Sequence, residues 1–142
     1  PTAVVQFIKG AMTTGERDLL TGSFGDLCRF HTMGEGFTWE TQDRQRDIAA
    51  ARAAWTQAVS LIRNPEIKMV LLDELNIALK YGYLELAPVL ADIESRPLLQ
   101  HVVVTGRGAP AGLIEAADTV TEMGLIKHAF KAGVKAQKGV EF

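Results

Sequence analysis

Two short, almost uninterrupted apolar runs constrain the fold of this chain more than any other feature. The first, AVVQFIK, covers residues 3–9, and the second, IKMVLLDEL, covers residues 67–75. Strands with one face in water alternate apolar and polar residues, whereas strands covered on both faces are apolar throughout. The two runs therefore predict inner strands of a mostly parallel sheet with helices on both faces.

Strand and helix patterns alternate along the rest of the chain. Three further segments have strand-like patterns: LCRFHTM at 27–33, HVVVTGR at 101–107 and DTVTEM at 118–123. Three segments have apolar residues at helical spacing: 42–63, after Thr41 as the predicted N-cap, 84–95 and 125–137. This alternation predicts an α/β fold, and the absence of a dividing linker predicts a single domain over residues 1–142.

Composition excludes several classes of partner. The net charge of -2 gives no basic field for a nucleic-acid backbone. No apolar run reaches the roughly 18 residues that a membrane-spanning helix needs. The single cysteine, Cys28, is expected to be a buried thiol, which suits a reducing cytoplasm. The three histidines lack the spacing of metal ligands.

The second apolar run ends in two carboxylates, Asp73 and Glu74. Ligands of open parallel sheets bind beyond the C-terminal ends of the strands, where the pattern also places Lys9 and Arg107. Right-handed crossovers bring all four residues to one edge of the sheet. Two cations and two carboxylates there predict a site for a metal-bound polyphosphate. A strand that merely ends in acidic residues is the alternative.

The motif that usually completes such a site is missing from the sequence. A phosphate loop of the form G-x-x-x-x-G-K-[ST] cradles phosphates with backbone N–H groups. This chain has no Gly-Lys step, and its glycine-rich stretches GEG (34–36) and GRG (106–108) are not followed by Lys-Ser or Lys-Thr.

Two large aromatic residues, Phe37 and Trp39, lie in the glycine-rich segment GEGFTWET. Connecting segments are normally solvated, so large aromatic side chains within them need a partner. Taken alone, the pattern favours packing back onto the core over the start of the next helix. A flat ligand is the other interpretation.

Several motifs, taken in this order, resemble the P-loop type of corrinoid (cob(I)alamin) adenosyltransferase of cobalamin biosynthesis. They include VVQFIKG, GFTWET, LLDEL, VVVTGRG, LIEAADTVTEM and KHAFKAGVKAQKGVEF. The resemblance covers the chain from about Ala3 to its last residue. It implies a P-loop NTPase-like (RecA-like) fold whose first strand, phosphate loop and first helix are absent from this chain.

The resemblance implies transfer of the 5′-deoxyadenosyl group of ATP to Co(I) of a corrinoid, cobalamin or cobinamide, with release of triphosphate. In the family, an aromatic pair fills the lower face of the corrinoid after its axial ligand leaves, which makes the cobalt easier to reduce. Phe37 and Trp39 match that pair, with Thr38 between them. The resemblance therefore favours the flat ligand for this segment.

The resemblance also assigns the charged residues. Glu74 matches the Mg²⁺ ligand of the family, and Asp73 is expected beside it as a second ligand or an orienting group. Arg107 and Lys9 are expected to contact the phosphates of ATP. A homodimer, a flavodoxin-like electron donor and a cytoplasmic location are implied as well, with neither nucleic acid nor membrane as a partner.

Two other interpretations stay open from the sequence. One is a truncated, non-catalytic corrinoid-binding chain, and the other is an unrelated P-loop-like ATPase or switch domain. Without a cradle of backbone N–H groups, the chain as given is expected to show no adenosyl transfer. It is also expected to bind Mg·ATP no better than about millimolar, near -4 kcal/mol.

Overall fold

The computed structural model of this chain describes residues 1–7, 15–33 and 44–135. These residues include four strands: β1 (Thr2–Gln6), β2 (Cys28–Thr32), β3 (Met69–Asp73) and β4 (His101–Val104). Neighbouring strands pair in parallel, in the order β2-β1-β3-β4. Each strand overlaps a predicted one, which confirms the parallel sheet of an α/β fold.

Five α-helices accompany the strands: α1 (Gly15–Phe24), α2 (Arg44–Ile62), α3 (Leu75–Lys80), α4 (Leu86–Glu94) and α5 (Ala111–Ala116). The helices predicted over 42–63 and 84–95 are confirmed as α2 and α4. The other three helices were not predicted. No residue of α1 is buried, and α3 and α5 have only six residues each, so none carries an apolar stripe long enough to identify.

Helices flank the sheet on both faces because of the direction of the chain connections. From β1 the chain crosses through α1 to β2, and it then returns through α2 past β1 to β3. Right-handed crossovers in opposite directions lie on opposite faces of a sheet. Helices thus lie on both faces, α1 on one side and α2 with α4 on the other, but the side of α1 is covered only in part, since Met69 and Val103 are 40 % and 41 % exposed.

The main core lies between the sheet and α2. The residues that α2 buries recur at helical spacing: Ala51, Ala54, Trp55, Ala58, Leu61 and Ile62. The alanines bring the helix axis close to the strands, and the indole of Trp55 meets the ring of Phe7 at 6.2 Å between centroids. Ile48 and Val59, two further apolar residues of α2, are only half-buried.

Two predictions for the C-terminal part of the chain are wrong. Residues 118–123 form no strand, and within 125–135 only Ala129–Ala132 forms a short 3-10 turn. Residues 136–137 of the predicted helix lie outside the described residues. From 117 to 135 every described residue is exposed. Strand and helix patterns of this length need a pairing neighbour or a packing face to be stable.

Asp92 of α4 ties that helix to α2. Trp55 Nε1 donates to Asp92 Oδ2 at 3.0 Å, and Arg63 Nη2 donates to Asp92 Oδ1 at 3.0 Å. The indole is buried, whereas 64 % of the Arg63 side chain is exposed. The indole hydrogen bond is therefore expected to stabilise the pair of helices more than the ion pair does.

Replacing Trp55 by Phe keeps an aromatic ring in the core and removes the donor to Asp92. We expect the free energy of unfolding to fall by about 1–2 kcal/mol, measured by urea denaturation. The matched variant Arg63→Ala removes the exposed partner of the same carboxylate and is expected to cost about 0.5 kcal/mol or less. A larger loss in Arg63→Ala than in Trp55→Phe would contradict this ranking.

His31 of β2 gives the fold a pH dependence. Burial, and to a smaller extent the positive charge of Arg29, lowers the pKa of His31 below its ordinary value of 6.5. The unfolded state then binds this proton more readily than the folded state does. The free energy of unfolding is expected to fall as the pH drops from about 6.5 through the lower pKa of the folded state.

The His31→Gln variant removes this titration, so its unfolding free energy should fall less steeply between pH 7 and 5 than that of the parent. Arg29→Gln removes only the smaller cause and should keep most of the slope. Denaturant titrations at several pH values provide the measurement. Equal slopes for His31→Gln and the parent would show that His31 is not the responsible group.

Candidate active site at the strand ends

The direction of the chain reverses at the centre of the sheet. The connection after β1 leads outward to β2, while the connection after β3 leads outward to β4 on the other side. The two strands are neighbours, so a crevice opens between their C-terminal ends. Such a switch point is the usual ligand site of open α/β sheets.

A row of hydrogen bonds crosses all four strands at this edge. The strand register places Gln6 between Thr32 and Asp73. Thr32 Oγ1 donates to Gln6 Oε1 at 3.5 Å, and Gln6 Nε2 donates to Asp73 Oδ2 at 3.1 Å. Thr105, the residue after β4, donates from Oγ1 to Asp73 Oδ1 at 2.9 Å. The carboxylate of Asp73 is thus held from both sides.

Glu74 follows Asp73 in a left-handed backbone conformation, with φ 61° and ψ 20°. This conformation costs a residue other than glycine about 1 kcal/mol or more. The Glu74 N–H donates to Thr105 Oγ1 at 3.0 Å, which helps to hold the turn. The chain consequently leaves β3 sharply, and α3 begins at the next residue.

The TGRG loop, residues 105–108, lies against this turn. Gly106 has φ 122°, and a β-carbon placed on it would lie 3.0 Å from Asn76 Cβ and 3.2 Å from Glu74 Oε2. Only glycine fits both the conformation and the space. The backbone of the loop at Gly106 therefore packs closely against the Glu74 carboxylate.

Two cationic residues belong to this loop or pack against it. Arg107 is exposed and makes no hydrogen bond or ion pair within the part of the chain that the structure describes. Lys80, at the end of α3, packs its stem on Gly108, since a β-carbon on that glycine would lie 3.1 Å from Lys80 Cδ. The sequence analysis missed Lys80 because α3, which carries it to this edge, was not predicted.

The structure brings together three of the predicted site residues, Asp73, Glu74 and Arg107. Lys9, Phe37, Thr38 and Trp39 lie outside the described residues. Besides Lys80, the sequence analysis missed Gln6, Asn76 and Thr105. Of these only Gln6 carried a sequence signal, because it is the one polar residue inside the run AVVQFI. In the structure its side chain is buried, with 4 % exposed.

The described residues include no group of three or more His, Cys, Asp or Glu side chains that could enclose a metal ion. They likewise contain no helix of the length and apolar character required to cross a membrane. At this edge the two carboxylates are those of Asp73 and Glu74. Two carboxylates suit a cation that takes its remaining ligands from groups other than protein carboxylates.

Comparison with known proteins gives a consistent result. The model of the family described as ATP:corrinoid adenosyltransferase BtuR/CobO/CobP matches residues 1–142. A corrinoid adenosyltransferase of Pseudomonas aeruginosa is 69% identical over 139 residues, covering 98% of this chain and 68% of that protein. One from Sinorhizobium sp is 62% identical over 143 residues, covering 100% and 67%.

A more distant relative supports the same assignment. Corrinoid adenosyltransferase CobA of Salmonella typhimurium is 45% identical over 139 residues, covering 98% of this chain and 69% of that protein. The chain thus spans about two thirds of the length of these relatives. These matches exclude the unrelated P-loop-like ATPase. The chain belongs to the ATP:corrinoid adenosyltransferase family, whose members transfer the adenosyl group of ATP to a corrinoid.

Proposed function

We propose that adenosyl transfer takes place at the crevice between β1 and β3, with Mg·ATP at the strand ends. The observation that carries this proposal is the row of hydrogen bonds that fixes Asp73 at the switch point of the sheet, directly beside Glu74. A rigid pair of carboxylates at this place suits the binding of a metal-bound polyphosphate.

The two carboxylates have different surroundings, and this supports different roles. Both oxygens of Asp73 already accept a hydrogen bond, so Asp73 is suited to orienting its neighbours and a water on the cation. Glu74 lies outside the row, at the edge. Mg²⁺ prefers oxygen ligands and usually takes one or two carboxylates, with phosphate and water completing its shell. These residues fit such an ion, with Glu74 as its ligand.

Positive charge around the loop suits the leaving group. Triphosphate carries a high negative charge, which a group such as the Arg107 guanidinium stabilises. Arg107 belongs to the loop, Lys80 packs on Gly108 of the loop, and Lys9 comes shortly after β1 in the sequence. We assign these three cations to the phosphates of ATP. The corrinoid supplies the nucleophilic Co(I) that forms the new bond at C5′ of ATP.

The corrinoid is assigned to the segment with Phe37, Thr38 and Trp39. The described residues on either side of that segment support this position. Met33 is buried at the end of β2, and its N–H donates to the carbonyl of Gln6 at 2.9 Å. At the other end, Arg44 Nη2 donates to the carbonyl of Tyr81 at 2.9 Å, one residue from Lys80. Met33 and Arg44, the described residues that precede and follow the segment, thus both have contacts near the proposed nucleotide site.

We propose three further properties of the protein. Reduction of the corrinoid cobalt to Co(I) needs an electron donor, and a flavodoxin-like protein is the proposed one. We also propose a homodimer and a cytoplasmic location. Sedimentation of the purified protein tests the dimer, and reduction of bound Co(II) by purified flavodoxin tests the donor.

The variant Trp39→Ala should slow corrinoid reduction far more than it weakens ATP binding. With a protein electron donor, we expect adenosyl transfer to fall by about tenfold or more, equivalent to about 1.4 kcal/mol. The reason is that Trp39 is proposed to exclude the lower axial ligand and to contact no phosphate. Turnover of the full-length protein and calorimetry with Mg·ATP provide the two measurements.

Chemically reduced Co(I) corrinoid serves as the control, because it bypasses the step that Trp39 assists. The defect of Trp39→Ala should shrink with this substrate. Parent-like turnover with the protein donor would remove Trp39 from the mechanism.

Replacing Glu74 by Gln keeps the shape of the side chain and removes the charge that a hard cation prefers. We expect the Mg²⁺ concentration at half-maximal turnover to rise by about tenfold or more, with the fold intact by circular dichroism. Glu85→Gln, at an exposed acid before α4, is the matched control and should behave as the parent. An unchanged Mg²⁺ titration for Glu74→Gln would rule out Glu74 as the ligand.

A further inference from the structure

Asn76 joins the acidic strand end to the TGRG loop through two hydrogen bonds. Its backbone N–H donates to the carbonyl of Thr105 at 3.3 Å, and its Nδ2 donates to the carbonyl of Gly106 at 2.9 Å. Asn76 is the second residue of α3, where a backbone N–H has no carbonyl within the helix to bind. Two consecutive carbonyls of the loop thus dock on the start of the helix.

Each of the two segments that Asn76 joins contains a residue in a left-handed backbone conformation. Glu74 has φ 61° and Gly106 has φ 122°. A strained residue such as Glu74 keeps its conformation only where the surrounding contacts hold it. Asn76 supplies such a contact two residues away, and its Cβ would lie 3.0 Å from a β-carbon on Gly106.

Hydrogen bonding sets the orientation of the Asn76 amide. The residue is only 6 % exposed. Nδ2 faces the carbonyl of Gly106, because the reverse orientation would bring two acceptors together. The Oδ1 atom is buried, with no hydrogen-bond donor in the described part of the chain. Loss of the Nδ2 hydrogen bond would therefore remove the side-chain contact that holds the carbonyl of Gly106.

We propose that Asn76 is a positioning residue for adenosyl transfer, which holds the TGRG loop against Glu74. This inference rests on the proposed function, in which Glu74 is the Mg²⁺ ligand. The side-chain amide keeps Gly106 so close that Glu74 Oε2 would lie 3.2 Å from a β-carbon on that glycine. The same contact fixes the backbone from which Arg107, the next residue, extends. Asn76 therefore sets the separation between the metal ligand and the phosphate-binding cation.

Gln100 provides a matched control at the opposite edge of the sheet. It precedes β4, is 5 % exposed, and donates from Nε2 to the carbonyls of Asn64 at 3.2 Å and Ile67 at 2.9 Å. Its Oε1 atom, like Oδ1 of Asn76, is buried without a donor among the described residues. Gln100 is thus an equally buried amide that clamps a turn, but one far from the strand C-terminal ends.

The test compares Asn76→Ala with Gln100→Ala in the full-length protein. Both variants should lower the thermal unfolding midpoint, because each removes side-chain hydrogen bonds to backbone carbonyls. Hydrogen–deuterium exchange should quicken over residues 105–108 only in Asn76→Ala, and over residues 64–68 only in Gln100→Ala. The Mg²⁺ concentration at half-maximal turnover should rise by about tenfold in Asn76→Ala and stay at the parent value in Gln100→Ala.

The isosteric variant Asn76→Asp separates the donor from the shape of the side chain. A carboxylate cannot donate to the carbonyl of Gly106, so Asn76→Asp should shift the Mg²⁺ dependence at least as much as Asn76→Ala does. Parent-like Mg²⁺ dependence in both Asn76 variants, while Glu74→Gln shifts it, overturns this inference alone. If Glu74→Gln leaves the dependence unchanged, the metal assignment is wrong and the inference falls with it.

Discussion

The carboxylate of Asp73 is the group on which the strand ends depend. It accepts hydrogen bonds from Gln6 and Thr105, and Gln6 in turn accepts one from Thr32, so a single row connects all four strands. Hydrogen bonds to a carboxylate are stronger than those between neutral groups, and burial of Gln6 strengthens them further. The strand register makes the row possible. If β1 slipped by one residue against β3, Gln6 or Asp73 would turn to the other face of the sheet.

Adjacent carboxylates obtain different environments from one backbone turn. Asp73 ends β3 in the extended conformation and points into the row, whereas Glu74 adopts a left-handed conformation and precedes the first residue of α3. The strain is offset by contacts around it, including burial of Leu75 and the hydrogen bonds to Thr105. Glycine at position 106 completes the arrangement, because any side chain there would collide with Asn76 and Glu74. The loop, the turn and the helix are thus interdependent.

Sequence patterns predicted the long elements well and placed two carboxylates at the C-terminal end of β3. The apolar run of β3 and the alanine-rich helix α2 are recognisable because burial imposes a regular spacing on them. The patterns failed at the six-residue helix α3, which is too short for a period, and so Lys80 and Asn76 were not connected with the site. They failed again over 118–135, where suitable residues have neither a packing face nor a pairing strand in the described part of the chain.

The sequence by itself determined the α/β class, the strand that ends in Asp73 and Glu74, and the family, whose motifs depend on residue types in a set order. Only the tertiary structure decided which of the two acids is held inside the hydrogen-bond row and which lies at the edge. It also decided that Gln6, Asn76 and Thr105 belong to the site. Residues 6 and 105 are far from the acidic turn in the chain, and strand register brings their polar atoms within about 3 Å of it, while the side chain of Asn76 binds the carbonyl of Gly106 at 2.9 Å.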